Sequence, residues 1–545
     1  MEISFSSAFI ALAWLLALAV ISKVMNDILC PKRNVPPGPR PWPIIGNLNL
    51  IGSLPHESLH NLSQKYGDLM LLKFGSKPVL IASSPEMAKE ILKTHDAIFS
   101  SRPALTAGKY ISFNHSDVSW APYGAHWRQS RKIYQTEIFS PKRLESFKYI
   151  RVEERRNLIS RLHVLSGKKI FLRHHLTEFT LSIISRMVMS GTYHRDESIE
   201  NLQGMLDEWF ILGGVINIGD WIPWLNWLDL QGYIKRMKAL DKRLREFFKY
   251  VLEDHKAKGK EDSVPRDMVD VLLQLVDDPN LEVKITTDNL MGLILDLLAG
   301  GTDTSATTVE WAFQELVRNP NMIEKANEEL DRTIGKGRWV EEDDLSQLPY
   351  IEAIIKETFR LHPLTPLIPP HYSIEECKVV GYDIPKGTMV FVNIWSLGRN
   401  PNYWDRPQEF IPERFLENDI NIKGKNFTML PFGSGRRRCP GYSLGIKLVG
   451  TTLANLLHGF HWRLTGKALP KSEKNPNFLK KKNAIAPNLK FFTEQIEELK
   501  SGFKIKSFIT FKGFFWNRVY QLTQASRTVN GIAQFSLTIV RTCTK

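Results

Sequence analysis

The longest patterned stretch of the chain is residues 288–318, which contain no proline and carry apolar residues at helical spacing until Pro320 stops them. About thirty residues make a helix of roughly 45 Å, enough to cross a domain, and a helix of that length is normally a buried spine. Asp288 is its candidate N-cap. Shorter helical patterns cover residues 86–95, 127–139, 151–165, 176–190, 233–255 and 267–275, and another begins at Tyr442. Residues 70–74 and 79–82, separated by Gly75 and Pro78, predict a β-hairpin. Between Pro385 and Pro440, proline, glycine and aromatic residues dominate, and irregular structure is expected.

The pattern at the start of the chain is different. Residues 3–22 contain no charge, and twenty residues span about 30 Å as a helix, the thickness of a bilayer core. Glu2 precedes them, and Lys23, Lys32 and Arg33 follow. A signal peptide has the opposite polarity and a small-residue cleavage site, so an uncleaved anchor with a cytosolic body is expected. Pro36, Pro37, Pro39, Pro41 and Pro43 then forbid helix and predict a stiff extended hinge. The expected organisation is an anchor over residues 1–30, a hinge over 31–44, a body over 45–465 and a tail over 466–545.

Composition excludes several classes. Hydrophobic residues at 43% and charged residues at 24% of 545 are ordinary for a globular protein. Four cysteines form no CxxC pair, so zinc fingers and disulfide frameworks have no support. The net charge of +14 invites a nucleic-acid reading, but its distribution opposes it. Residues 466–545 hold 15 Lys and Arg against 4 Glu, so the preceding 465 residues are close to neutral and no nucleic-acid partner is expected.

Two stretches carry candidate chemistry. Within the spine pattern, Gly300 and Gly301 each cost about 1 kcal/mol relative to alanine. Either helices pack closely there, or a flat ligand lies on that face beside Asp303 and Thr304. The second stretch is Phe432-Gly-Ser-Gly435-Arg-Arg437-Arg-Cys439-Pro-Gly441. Positive charge stabilises a thiolate, the form in which cysteine binds a metal, and the glycines let backbone N–H groups approach the sulfur. The run Trp221–Trp227 fits either a packed core or a membrane interface, where tryptophan is enriched.

The pattern Phe-x-x-Gly-x-Arg-x-Cys-x-Gly resembles the haem-ligand loop of cytochrome P-450 monooxygenases. Four further motifs follow the same family in order: Trp127-x-x-x-Arg131, Gly300 to Ser305, Glu357-x-x-Arg360 and Pro412-Glu-Arg414-Phe. The segments Pro36-Pro-Gly-Pro39, Trp42-Pro-Ile-Ile-Gly-Asn47 and Tyr123-Gly-x-x-Trp127-Arg128 are similar to those of the plant microsomal group of specialised metabolism, whose members modify flavonoids, other phenolics or terpenoids.

The resemblance implies a mainly helical fold with small β-sheets, and haem b between the spine helix and the helix after the cysteine loop. It implies Cys439 as the axial thiolate, which favours O–O cleavage. It also implies Trp127, Arg131, His371 and Arg437 as donors to the haem propionates, with Gly300, Gly301, Phe432 and Gly435 shaping the haem site. Asp303 and Thr304 would deliver protons, although a helix threonine can also bond back to its own backbone. Glu357, Arg360 and Arg414 would form a buried network that holds fold and haem. Arg436 and Arg438 read as solvated or partner-facing charges. An NADPH-dependent reductase in the endoplasmic reticulum membrane would supply electrons, and the apolar segments around residues 109–113, 118–120, 295–299 and 364–369 imply a small apolar or aromatic substrate. After Leu464 the resemblance stops: the family's terminal hairpin is not recognisable, and a basic, aperiodic tail stands in its place. An aberrant isoform or a non-catalytic haem-binding relative is the alternative.

Overall fold

A computed structural model describes residues 33–191, 202–258, 265–417, 426–464 and 536–542, with a few single positions besides. Apart from Trp14, the apolar segment 3–22 lies outside them. Among the described residues, no helix is long and apolar enough to cross a membrane.

The body is mainly helical. The helices that position the site are α1 (Ala125–Ile133), α2 (Lys148–Val164), α3 (Leu172–Met189), α4 (Tyr233–Lys258), α5 (Thr287–Arg318), α6 (Pro349–Leu361) and α7 (Tyr442–Gly459). The spine is α5, 32 residues long, and it packs most extensively along α3. Its cap is Thr286 rather than Asp288: the Thr286 hydroxyl accepts from Asn289 N–H, and the Asn289 side chain accepts from Thr286 N–H in return. Both residues carry short polar side chains, so the helix starts one residue earlier than its apolar pattern. Asp288 is left to pair with Arg245 of α4 at 2.6 Å.

The expected hairpin is present as β1 (Leu69–Phe74) and β2 (Lys77–Ala82), in register from Leu69↔Ala82 to Phe74↔Lys77. Its turn glycine, Gly75, has φ +55° and lies so close to the Trp221 carbonyl that a side chain would collide with it. Three further strands matter here: β3 (Lys169–Phe171), β4 (His371–Tyr372) and β5 (Cys377–Val379). They are followed by β6 (Tyr382–Ile384) and β7 (Met389–Val392), and one sheet has the order β1-β2-β7-β4. Part of the proline-rich hinge is laid along this sheet, where Leu71 N–H donates to the Pro37 carbonyl at 2.9 Å, whereas its end turns back on itself, with Trp42 N–H donating to the Gly46 carbonyl at 3.0 Å. The tryptophan run divides. Trp221 is buried edge-on against Phe74, while Trp224 and Trp227 are exposed.

The tail departs from expectation. Residues 536–542 form a strand, β9 (Ser536–Thr542), which lies between β3 and β8 (Phe460–Leu464) in a three-stranded sheet. Its Leu537 is fully buried. The segment has alternating and β-branched residues, but 71 residues separate it from β8, and no local pattern links the two. Residues 466–535 lie outside the described residues.

Candidate active site

The cysteine loop is shaped by its backbone. Gly433 and Gly435 have φ +66° and +68°, and Gly435 lies against the Leu92 carbonyl so closely that a Cβ would clash. Cys439 N–H donates to the Phe432 carbonyl at 2.9 Å, which closes the loop just before α7. The Phe432 ring stands edge-on to Phe359 of α6. Burial pushes the Cys439 thiol up, and the Gly441 backbone N–H, Arg131 and Arg438 oppose that shift. A thiolate there therefore needs a further positive partner, such as a metal ion.

The expected propionate donors separate by what already occupies them. Trp127 is buried and its Nε1–H donates to the Val118 carbonyl at 3.1 Å. Arg437 spends Nε on the Ser100 carbonyl at 2.7 Å, Nη1 on Val118 at 3.0 Å and Nη2 on Ala121 at 2.6 Å. It stacks 4.5 Å over the Trp127 ring, and burial pushes its pKa down to about 8. His371 is buried, with Nδ1 2.8 Å from the Phe99 carbonyl, which can only accept. Nδ1 therefore carries the proton, and in the neutral ring Nε2 is an acceptor. Burial and the cation Arg102 hold the pKa near 3, so donation from Nε2 would need an imidazolium that this environment opposes.

Two arginines differ from these. Arg131 Nε, and Arg438 Nε and Nη2, are buried without a hydrogen-bond partner among the described residues. Arg438 lies 4.0 Å over the Tyr442 ring, beside Cys439, and is not the solvated charge that its place in a basic run suggests. Arg436 does behave as a surface charge, paired with Asp96 at 2.9 Å. Unpartnered guanidinium donors beside a half-buried cysteine fit a group that brings carboxylates and a metal, as haem does.

The glycine pair also divides. A side chain on Gly301 would run into Ile184 of α3, so this glycine serves close helix packing. A side chain on Gly300 would meet nothing within 4 Å. The packing reading of the motif holds for Gly301, while Gly300 faces open space. Thr304 donates its hydroxyl to the Gly300 carbonyl at 2.7 Å, which leaves its oxygen able to accept from another donor. Asp303 turns toward α3 and pairs with Arg173 at 2.9 Å; Arg173 also binds Thr307 Oγ1 at 2.6 Å and Glu310 at 3.0 Å. Acid and hydroxyl are thus neighbours on α5 with separate partners.

The Glu357 network is complete. Arg360 Nε and Nη2 bind the Glu357 carboxylate at 2.7 and 2.8 Å with both side chains fully buried. The same guanidinium reaches the carbonyls of Gly398, Pro407 and Glu409 at 2.5–2.8 Å. Glu357 also accepts from Ile411 N–H at 2.7 Å and Arg414 Nε at 3.2 Å. Residue reasoning missed Arg173, Arg102, Asp117 and Asp296. Asp296 carried a usable signal, since it is a lone charge inside an apolar spine segment.

A helical body around a cysteine loop, with unpartnered cationic donors beside the sulfur, defines a haem-thiolate class of site. The comparisons place it further: a profile of the cytochrome P-450 family matches residues 36–488, and the chain belongs to that family. A trimethyltridecatetraene synthase of Zea mays is 43% identical over 85% of this chain and 89% of its own. A flavonoid 3'-monooxygenase of Petunia hybrida is 42% identical over 80% and 87%. A zebra fish cytochrome P-450 solved with progesterone superposes with a TM-score of 0.66 at 26% identity, over 76% of this chain and 94% of its own. The chain is accordingly an oxygen-incorporating oxidoreductase of the plant specialised-metabolism type, with haem iron on a cysteine thiolate.

Proposed function

We propose that the protein inserts one oxygen atom of O2 into a small apolar plant metabolite, a phenolic, flavonoid or terpenoid, with electrons from NADPH through a membrane-bound reductase. Its anchor would hold it in the endoplasmic reticulum membrane with the body in the cytosol. The observation that carries the reading is the buried set of unpartnered donors on Arg131 and Arg438 beside Cys439. Haem, when bound, supplies the redox chemistry through its thiolate-ligated iron.

The remaining roles belong to the chain. Cys439 would bind the haem iron through its thiolate, and Arg131 and Arg438 would hold the haem carboxylates. Arg437 and Trp127 keep the carbonyl framework of residues 100–121 in place. Gly300 leaves room over the spine, and Thr304 Oγ1, with its proton committed to the Gly300 carbonyl, accepts from a water and holds it in position. Asp303, on leaving Arg173, can take up a proton from solvent water and relay it toward that bound water. Apolar side chains such as Leu295, Leu298 and Ala299 keep bulk water out.

The full chain, reduced under carbon monoxide, is expected to show the red-shifted Soret band of thiolate ligation, and Cys439→Ser to lose it. With a plant reductase and NADPH, panels of flavonoids and terpenoids are expected to yield a product carrying label from 18O2. A wild-type chain that binds haem without the thiolate band, or that leaves every panel compound unlabelled, overturns the proposal.

A further inference from the structure

The functional reading leaves Asp296 unused. It lies on α5 about two turns before Thr304, between the buried Leu295 and Leu297. Its carboxylate faces loop backbone. Oδ2 accepts from Val118 N–H at 2.7 Å and Ser119 N–H at 3.2 Å, and Oδ1 accepts from the Ser119 hydroxyl at 2.6 Å. One turn earlier on the same face, Gly292 lets the loop lie against the helix: a Cβ there would stand 2.9 Å from Asp117 N. On the loop side Asp117, which is buried where Asp296 is only partly so, accepts from Trp120 N–H at 2.8 Å. Burial pushes the Asp117 carboxyl well above the usual range, and Asp296 up to about 6. Each carboxyl also raises the other's proton affinity, and the three donors on Asp296 favour its charged form.

The other side of the loop meets the cysteine loop at Arg437. The Val118 carbonyl accepts from Trp127 Nε1 and Arg437 Nη1, and the Ala121 carbonyl from Arg437 Nη2. The Ser119 carbonyl accepts from Arg102 Nε at 2.9 Å. Val118 is thus held by its N–H on the spine helix, and by its C=O it holds the arginine two residues before Cys439.

We propose that Asp296 is a positioning residue: by seating the 117–121 loop on α5 it sets where Arg437 and Trp127 stand, and through Arg437 the course of the Cys439 loop. The geometry stands on its own, whereas its consequence for haem rests on the function proposed above.

The test uses the full chain. Hydrogen exchange by mass spectrometry follows peptides covering residues 116–122 and 433–441, with residues 320–333 as an unlinked control. Haem release to excess apomyoglobin is timed in parallel. Asp296→Ala is expected to speed exchange in both peptides by about tenfold, leave the control unchanged, and speed haem release by a similar factor while the thiolate Soret band persists. Asp296→Asn keeps one acceptor oxygen, and the Ser119 hydroxyl can turn to accept from the amide, so it is expected to stay within about threefold of wild type. Gly292→Ala, which lifts the loop with Asp296 intact, is expected to repeat the Asp296→Ala pattern and serves if that variant fails to fold. Unchanged exchange at 433–441, haem release at the wild-type rate, or an asparagine variant as damaged as alanine overturns the proposal. A wild-type chain without the thiolate band sinks the haem reading instead, and the exchange measurements still decide the positioning role.

Discussion

Removing Glu357 is expected to damage folding and haem retention and to leave the chemistry alone. In Glu357→Ala, Arg360 loses two charge-assisted hydrogen bonds, Arg414 loses one, and the Ile411 amide loses its acceptor. Arg360 remains buried with its charge uncompensated, and breaking one side of a buried pair costs about 3–5 kcal/mol. Against a total stability of roughly 5–15 kcal/mol that is a large fraction. The obvious rescue is to remove both charges, since an ion pair replaced by apolar groups is often neutral. Here it is expected to fail. Arg360 also satisfies the carbonyls of Gly398, Pro407 and Glu409, and the double variant Glu357→Leu/Arg360→Leu leaves three acceptors orphaned at about 1–3 kcal/mol each. The assay pairs thermal unfolding of the loaded protein with haem content per chain, and turnover per haem. Both variants should load poorly and melt early, with turnover per loaded haem close to wild type. A double variant that regains wild-type stability would show that charge alone matters and that the carbonyl tethers do not.

Thr304→Ala removes the acceptor oxygen and an intrahelical bond only, so stability should move by less than about 0.5 kcal/mol. NADPH oxidation is expected to continue while product per NADPH falls by about tenfold or more, and unchanged coupling would refute the role of the hydroxyl. His371 is held neutral with its pKa near 3, below the ordinary value of 6.5. The unfolded chain therefore binds the extra proton first, and stability is lost as pH falls from 6.5 toward 3, by roughly 2 kcal/mol at pH 5. His371→Asn keeps a donor for the Phe99 carbonyl and should flatten that part of the pH profile of thermal unfolding; an unchanged slope contradicts the assignment. Deleting residues 536–545 takes out the middle strand of the β3-β9-β8 sheet, and Leu537→Ala alone should cost about 2–5 kcal/mol. A truncated chain that melts and loads haem like the full one would show that β9 contributes nothing.

What could be read in advance followed from periodicity and from fixed offsets along one element. The spine, the β1–β2 hairpin and the Glu357–Arg360 pair are of this kind, because residues three apart on a helix must share a face. The strand β9 is the opposite case. It is paired only through contacts 71 or more residues away, and a seven-residue strand carries no mark of which sheet will take it. The cap of α5 was missed by two residues because Asp288, Thr286 and Asn289 are all capping types, and only the geometry of the turn chooses among them.

The arginines of the cysteine loop show the same limit at the scale of single atoms. Arg436, Arg437 and Arg438 are chemically identical in sequence, and a motif singles out Arg437. Yet Arg437 is the one whose nitrogens are already engaged, by carbonyls at Ser100, Val118 and Ala121, while Arg438 keeps two buried nitrogens without partners among the described residues. Which guanidinium is left free depends on where residues 100–121, two loops on either side of the short helix Thr106–Ile111, place their carbonyls. The second loop, residues 117–121, takes its course from Asp296 on the spine and Arg102. The chemistry of a thiolate loop can therefore be recognised from residue types, while the donors it offers to a bound group depend on a distant carboxylate. A substitution at Asp296 should consequently alter the haem environment even though that residue belongs to none of the five motifs.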